Sequence, residues 1–336
     1  MKKTILITGG LGFIGSHTAV ELLQSGFEVV IVDNLVNSEY FILDRIEQIT
    51  SLKPFFYKID VCNELELEKV FIRHQIDAVI HFAAYKAVAE SVKKPLKYYK
   101  NNINSLLSVL GLMEEYDCEN IVFSSSATVY GSADFFPIKE NSEFKKSLSA
   151  YGSTKQFGED ILEKVSQSSN IKSIALRYFN PVGAHRSGLI GELPIGTPNN
   201  LMPYLTQFAA QKTDKFTVYG FNYSTPDGTC LRDYIHVVDL AKAHVKACEN
   251  LIHRNYTKDF DVFNIGTGNP NSVLEVISKF EKVNKIKINY LIGARREGDA
   301  ETIYGCIEKS KNELNWIAEL SLDDMVLDSW NWQKNN

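Results

Sequence analysis

Apolar residues in this chain fall into short runs that alternate with amphipathic stretches, and the alternation repeats as far as about residue 178. Lys3 to Thr8, rich in Ile and Leu, suits a buried parallel strand. A helical pattern follows to about Gln24 and is closed by Gly26. The run from Glu28 to Val32 reads as the next strand and ends in Asp33. The spacing then predicts a helix around Glu39–Ile49, a strand around Phe55–Ile59 ending at Asp60 and Val61, and a helix around Leu65–His74. Strand Ala78–Phe82 and a long helix from about Pro95 to Tyr116 come next. Strand Ile121–Ser124, a helix running to about Ser168 and strand Ser173–Leu176 complete the series. Repeated strand–helix units predict an α/β fold: a Rossmann-like, doubly wound parallel sheet with right-handed crossovers. Ligands of such sheets bind beyond the strand C-termini.

After about Tyr178 the texture changes to a loop-rich stretch with Pro194, Pro198 and Pro203. Short strands (Phe216–Tyr219, Tyr234–Val237, Phe260–Ile265) and helices (Asp239–Asn250, Ser272–Val283, Leu322–Trp332) are expected there. The division that follows is a dinucleotide-binding domain over residues 1–178 and a smaller C-terminal substrate-binding lobe over 179–336, with an interleaved boundary.

Composition narrows the function only by exclusion. A net charge of −5 over 336 residues makes no electrostatic case for nucleic acid or an anionic membrane surface. Met1-Lys2-Lys3 before an apolar run resembles the start of a signal peptide, but Thr8-Gly9-Gly10 cuts the run short. No stretch approaches the roughly 18 apolar residues of a membrane span. Five scattered cysteines without a CxxC pair read as reduced thiols, so a cytoplasmic protein is expected. The seven histidines show no ligand spacing, and no metal site is expected.

The first turn carries the first candidate chemistry. Gly10, Gly12 and Gly15 satisfy G-x-G-x-x-G, and Gly9, Gly12 and Gly15 satisfy G-x-x-G-x-x-G, between a strand and a helix as a dinucleotide fingerprint requires. Without side chains there, the backbone approaches a pyrophosphate at unpaired helix N–H groups. Asp33, roughly 20 positions on, suits the adenosine ribose hydroxyls and would repel a 2′-phosphate, favouring NAD over NADP. Asp60 and the segment Phe82-Ala83-Ala84-Tyr85-Lys86 also fall at strand C-termini.

The second candidate is Ser126 followed by Tyr151-x-x-x-Lys155. Tyr and Lys four apart on a helix share a face, which sets an ammonium under a phenol. A phenol with a pKa of roughly 10 is a poor base at neutral pH, and a fixed positive charge favours the phenolate. Ser126 adds a hydrogen bond to the same substrate oxygen. In the C-terminal half, Arg232 and Arg296 match phosphate oxygens, Asn200 suits a diphosphate, and Tyr219 suits stacking on a base. His236 reads as a core residue.

Ser, Tyr and Lys arranged behind a dinucleotide fingerprint resemble the extended short-chain dehydrogenase/reductase superfamily. Within it the chain resembles the UDP-glucose 4-epimerases (UDP-galactose 4-epimerases) over nearly its whole length. The motifs are Thr8-Gly9-Gly10-x-Gly12-x-x-Gly15-Ser16-His17, Asp33-Asn34-Leu35, Lys86 to Val92, Ser124 to Gly131, Arg177 to His185, Pro198-Asn199-Asn200-Leu201, Arg232 to Val237 and Arg295-Arg296-Glu297-Gly298-Asp299. The resemblance implies bound NAD that is regenerated in each turnover. It implies NAD contacts from Phe13, Ile14, Asp33, Asn34, Asp60, Val61, Lys86, Asn101, Lys155 and Phe179. UDP-sugar contacts are implied for Asn180, Asn200, Leu201, Tyr219, Arg232, Arg296 and Asp299. Ile303 matches a position beside the sugar where a Tyr is associated with excluding N-acetylated substrates; the competing assignment is a core residue on a short strand. UDP-glucose and UDP-galactose are therefore the expected substrates, with weaker activity on the N-acetylated pair. A homodimer built on the helices around Pro95–Tyr116 and Tyr151–Ser168 is implied as well.

Three alternatives share the fold. A nucleotide-sugar 4,6-dehydratase would carry acids just before Val129-Tyr130-Gly131, where this chain has Ala127 and Thr128. Relatives acting on uronates would need a site for a C6 carboxylate. A non-catalytic dinucleotide sensor would have no use for Ser126, Tyr151 and Lys155 together.

Overall fold

The computed structural model describes residues 2–196, 198, 200–253, 255, 257–296 and 299–336. The motif residues Asn199, Glu297 and Gly298 lie outside the described residues. The expected alternation forms as β1 (Thr4–Thr8), α1 (Phe13–Gln24), β2 (Glu28–Asp33), α2 (Phe41–Thr50), β3 (Phe55–Lys58), α3 (Glu64–Arg73) and β4 (Ala78–His81). After a short helix outside the expected pattern, α4 (Val88–Lys93), it continues through α5 (Pro95–Glu115), β5 (Asn120–Ser126), α6 (Ala150–Ser168) and β6 (Lys172–Tyr178). A 3-10 turn, Ala127–Tyr130, leads directly out of β5.

Beyond Tyr178 come β7 (Asn180–Val182), α7 (Leu201–Ala209), β8 (Thr217–Tyr219), β9 (Leu231–Arg232), β10 (Tyr234–His236), α8 (Val237–Ile252) and β11 (Phe260–Ile265). The chain ends with β12 (Asn271–Ser272), α9 (Val273–Asn284), β13 (Leu291–Gly293), β14 (Thr302–Ile303), α10 (Glu308–Asn312) and α11 (Leu322–Lys334). Helix α7 occupies a stretch whose prolines suggest loop. Pro203 sits in its first turn, where a missing N–H breaks no helical bond.

Seven parallel strands form the central sheet in the order β3-β2-β1-β4-β5-β6-β11. Strand order reverses between β1 and β4, and the cleft at that point is where such sheets take ligands. Successive side chains of a strand point to opposite faces, so the buried strands feed two cores. Ile5, Ile7, Val29 and Ile31 pack with α1, α2 and α8 on one face. Leu6, Val30 and Val32 pack with α3, α5 and α6 on the other. Helix α8 and strand β11 come from beyond Tyr178 yet complete this layer, so the chain crosses between the lobes more than once.

The remaining elements surround a third core built from Val182, Met202, Phe216, Val276, Phe280 and Met325. Three small sheets shape it: β7 with β10, β8 with β13, and β9 between β12 and β14. Among the described residues no helix is long and apolar enough to cross a membrane.

Candidate active site

The glycine turn is tight for steric reasons. Gly9 has φ +70°, in the left-handed region that favours glycine. A Cβ on Gly15 would overlap the Gly9 carbonyl oxygen and lie 2.8 Å from Gly10 Cα. Gly12 is the N-cap of α1 and supplies no side chain to its N–H groups, which leaves the helix N-terminus free to bind an anion. Phe13 and Ile14 open that helix.

Asp33 is buried at the end of β2 and accepts from Leu11 N (3.1 Å), Leu35 N (2.9 Å) and the Ser38 hydroxyl (2.8 Å). Its carboxylate thus braces the glycine turn, a role the spacing alone does not reveal. Asn34 Nδ2 donates to Asp60 Oδ2 at 3.2 Å, linking the ends of β2 and β3 beside Val61. At the end of β4, Phe82 N donates to Thr8 O and Ala83 N to Thr8 Oγ1, which closes the switch point. A glycine cradle, an uncapped helix N-terminus and an acid at the second strand end fit a dinucleotide.

On α6, Tyr151 and Lys155 share a face directly across from β5. Lys155 Nζ donates to the Ser124 carbonyl at 2.5 Å and lies 5.7 Å from the Tyr151 ring centroid. Ser126, at the end of β5, accepts from Thr128 N at 3.2 Å and hydrogen-bonds Tyr151. The three residues therefore meet at one point.

Their electrostatics differ from the expectation that Lys155 holds the phenol acidic. Burial pushes the Tyr151 phenol up, and the Ser126 hydrogen bond offsets this only in part. Lys155 is 3% exposed, and burial lowers its pKa to about 7 while the charge of Glu159 pulls upward. The physical reason for the difference is desolvation: an ammonium withdrawn from water gives up its own proton near neutrality.

Asn101, on α5, donates through Nδ2 to Asn102 Oδ1 at 3.0 Å. Asn102 accepts from Tyr85 N (2.9 Å) and donates to Tyr85 O (3.1 Å) and Thr154 Oγ1 (3.1 Å), tying the loop after β4 to α6. Lys86 pairs with Glu192 Oε1 at 3.0 Å, and the same oxygen accepts from Asn200 Nδ2 at 3.1 Å. Lys86 and Asn200 are thus joined through one carboxylate, although the resemblance assigns them to different ligands. Asn200 and Leu201 stand at the N-terminus of α7.

In the C-terminal lobe, Asp299 accepts from Arg232 Nη2 through Oδ1 at 2.9 Å, and from Arg296 Nε and Nη2 through Oδ2 at 3.1 and 3.0 Å. Pairing of Gly293 with Tyr219 brings the arginine segment beside that ring, with Arg296 Cζ 5.6 Å from its centroid. Ile303 is the register partner of Arg232 and packs with Val129, Tyr130, Ile138 and Phe179. It is half-buried, which joins the lobe to the turn after Ser126. Asn180 N donates to Asp233 O at 3.0 Å. His236 is fully buried, and its Nδ1 accepts from Val238 N at 3.1 Å.

The sequence alone assigns no role to Glu159, Asn102 or Glu192, nor to Ser125 and Arg177, which stand inside the motifs Ser124 to Gly131 and Arg177 to His185. Glu159 had a visible signal, standing four residues after Lys155 on the same helical face. Glu192 had none, since its partners are brought to it by loops.

The chain is similar to known proteins over nearly its whole length. Residues 5–266 match the NAD dependent epimerase/dehydratase family. The UDP-glucose 4-epimerase of Haemophilus influenzae is 48% identical over 333 residues, covering 99% of this chain and 98% of that protein. The solved structure of the UDP-glucose 4-epimerase from Bifidobacterium longum, in complex with NAD+ and UDP, is 47% identical with a TM-score of 0.95, covering 99% of both chains. A UDP-glucose 4-epimerase from Stenotrophomonas maltophila, with bound NAD and formylated UDP-arabinopyranose, is 43% identical with a TM-score of 0.96, covering 99% of this chain and 98% of that one.

Proposed function

Because the chain belongs to the NAD dependent epimerase/dehydratase family, we infer that it is an NAD-dependent isomerase interconverting UDP-glucose and UDP-galactose. The observation that carries this reading is the meeting of Ser126, Tyr151 and Lys155 at the C-terminal edge of a dinucleotide-type sheet. NAD, held by the turn Gly9–Gly15 and Asp33, would supply reversible hydride transfer at sugar C4.

The chain's own residues move the proton and hold the groups in place. Tyr151, as phenolate, takes the proton of the 4-hydroxyl and gives it back at the end of the cycle. Ser126 donates to the same sugar oxygen, and Lys155 stabilises the phenolate while it holds its proton, which burial lets go near pH 7. The turn Gly9–Gly15 and the N-terminus of α1 hold the pyrophosphate, with Asp33 at the adenosine ribose. Arg232 and Arg296 take the diphosphate of the sugar nucleotide, oriented by Asp299, and Tyr219 stacks on the base. In this division the central sheet serves the dinucleotide and the C-terminal lobe the nucleotide sugar.

Ile303 faces the sugar at the side of its C2 substituent and admits N-acetylated hexosamines weakly, since its β-branched chain is stiff but lacks the reach of a ring. Exposed Leu96, Leu107 and Phe157 on α5 and α6 support a homodimer through those helices. Five free cysteines suit a reducing compartment, which favours the cytoplasm.

The test is UDP-galactose deuterated at C4. Deuterium retained at C4 of the UDP-glucose formed, with none lost to water, is expected. Label lost to water would refute the return of the same hydride.

A further inference from the structure

The face of α6 that bears Tyr151 and Lys155 carries a third residue at the same spacing, Glu159. Strand β5 meets this face with three successive serines. Lys155 donates to the Ser124 carbonyl, Ser125 Oγ donates to Glu159 Oε1, and Ser126 hydrogen-bonds Tyr151. Arg177 on β6 is the register partner of Ser125 and holds the same carboxylate from the next strand. Its Nε lies 2.9 and 3.2 Å from the two Glu159 oxygens and its Nη2 lies 2.6 Å from Oε2. The remaining nitrogen, Nη1, donates to the Tyr130 hydroxyl and to the Glu140 carbonyl, each at 2.9 Å. Tyr130 ends the 3-10 turn that begins directly after Ser126 and donates to Asn264 Oδ1 at 2.6 Å. One buried carboxylate is therefore linked to the serine run itself and to the turn by which the chain leaves it.

We propose, resting on the reading given above, that Glu159 is a positioning residue: clamped by Ser125 and Arg177, it fixes the three serines against α6 and keeps Lys155 in its ammonium form. The Glu159 and Arg177 side chains are 3% and 5% exposed. An ion pair so deeply buried is a weak source of stability, because desolvation offsets most of its attraction. Its position beneath the reacting side chains points to geometry and charge instead.

The groups that face Lys155 are few. On β4, His81 is fully buried and held neutral, its pKa lowered to about 3 by burial and by the Lys155 charge. On α6 there are Tyr151 and Glu159, and β6 brings Tyr178, a buried phenol pushed up by burial and by the charge of Tyr151. Helix α5 contributes only groups that do not titrate at these pH values, Asn102 donating to Thr154 Oγ1 and Ser105 lying beside His81. Around Glu159 itself stand Ser125 on β5 and Arg177 on β6, and Tyr130 and Glu140 reach it through Arg177. Glu159 is the carboxylate whose charge opposes the loss of the Lys155 proton.

The test is the pH profile of UDP-galactose turnover by the holoenzyme, for the wild type, Glu159→Gln and Ser125→Ala. Glu159→Gln keeps the shape of the side chain and removes its charge. We expect kcat to fall about tenfold or more with KM changed by less than about twofold, and the alkaline limb of kcat to move to lower pH. Ser125→Ala keeps the charge and loses the tether, so kcat should fall while the alkaline limb stays in place. A second readout is phenolate absorbance, taken as the difference from Tyr151→Phe, which should appear at higher pH in Glu159→Gln. If Glu159→Gln does not accumulate as folded protein, the neutral pair Glu159→Gln/Arg177→Met carries the same comparison. A folded variant with wild-type kcat and an unmoved alkaline limb overturns the proposal and leaves the isomerase reading intact. Failure of the wild type to convert UDP-galactose overturns that reading instead.

Discussion

Lys155→Met isolates the energetic consequence of withdrawing an ammonium from water. Lys155 is 3% exposed, and burial lowers its pKa from 10.5 to about 7. The unfolded chain therefore holds this proton up to about pH 10.5, whereas the folded chain releases it near pH 7. Between those values the unfolded state binds more protons, so the contribution of Lys155 to stability rises with pH. At about 1.4 kcal/mol per pH unit, the window corresponds to about 5 kcal/mol of destabilisation when Lys155 is fully protonated and about 4 kcal/mol at pH 7, where half the folded molecules have released the proton, vanishing toward pH 10.5. Methionine keeps the length of the chain without the charge and loses the hydrogen bond to Ser124 O, worth about 1 kcal/mol. The variant should thus be more stable than the wild type by about 3 kcal/mol near pH 7, and the two should converge as the pH rises. Urea unfolding of nucleotide-free protein across this range reads the difference directly, and other titrating groups cancel in the subtraction. A stability difference that stays constant from pH 7 to 10.5 would refute the reasoning, since Lys155 would then titrate alike in both states.

Tyr151→Phe should lower kcat by about 10²–10⁴-fold while NAD content and KM stay near wild type. Activity within a few-fold of wild type would remove Tyr151 as the base. Asp33→Ser removes both a charge and the acceptor of Leu11 N, Leu35 N and the Ser38 hydroxyl, so NADP should compete better for reconstituted apoprotein and the melting temperature should fall. A lower melting temperature with an unchanged NAD/NADP preference would leave Asp33 as a loop brace alone. Ile303→Tyr should suppress UDP-N-acetylglucosamine turnover selectively, and Ile303→Ser should raise it. Equal proportional effects on acetylated and plain sugars would mean Ile303 acts only through Val129, Tyr130 and Phe179, against which it packs.

Much of the sheet was legible because a parallel strand buried on both faces must be a short, continuous apolar run, and Ile5 to Ile7, Val29 to Val32 and Ile121 to Phe123 are such runs. The glycine turn was legible for steric reasons, since Gly15 has backbone where a Cβ would stand. The network beneath the site was less so. Glu159 and Arg177 are charged residues that a linear reading assigns to solvent, and only the register of β5 with β6 shows that they meet. The direction of the Tyr151 shift was also hidden, because it depends on how far Lys155 is withdrawn from water and not on its spacing from the phenol. The pairing of Lys86 and Asn200 through Glu192 joins loops distant in sequence and left no local trace.

The most direct test is incubation of the purified protein with UDP-galactose and no added nucleotide, with product identification and an assay for released nicotinamide nucleotide after denaturation. UDP-glucose at equilibrium with UDP-galactose, NAD recovered from the denatured protein, and no accumulation of 4-keto sugar are expected. Unchanged UDP-galactose in the presence of recovered NAD would contradict the isomerase reading and favour a dinucleotide-binding protein without turnover.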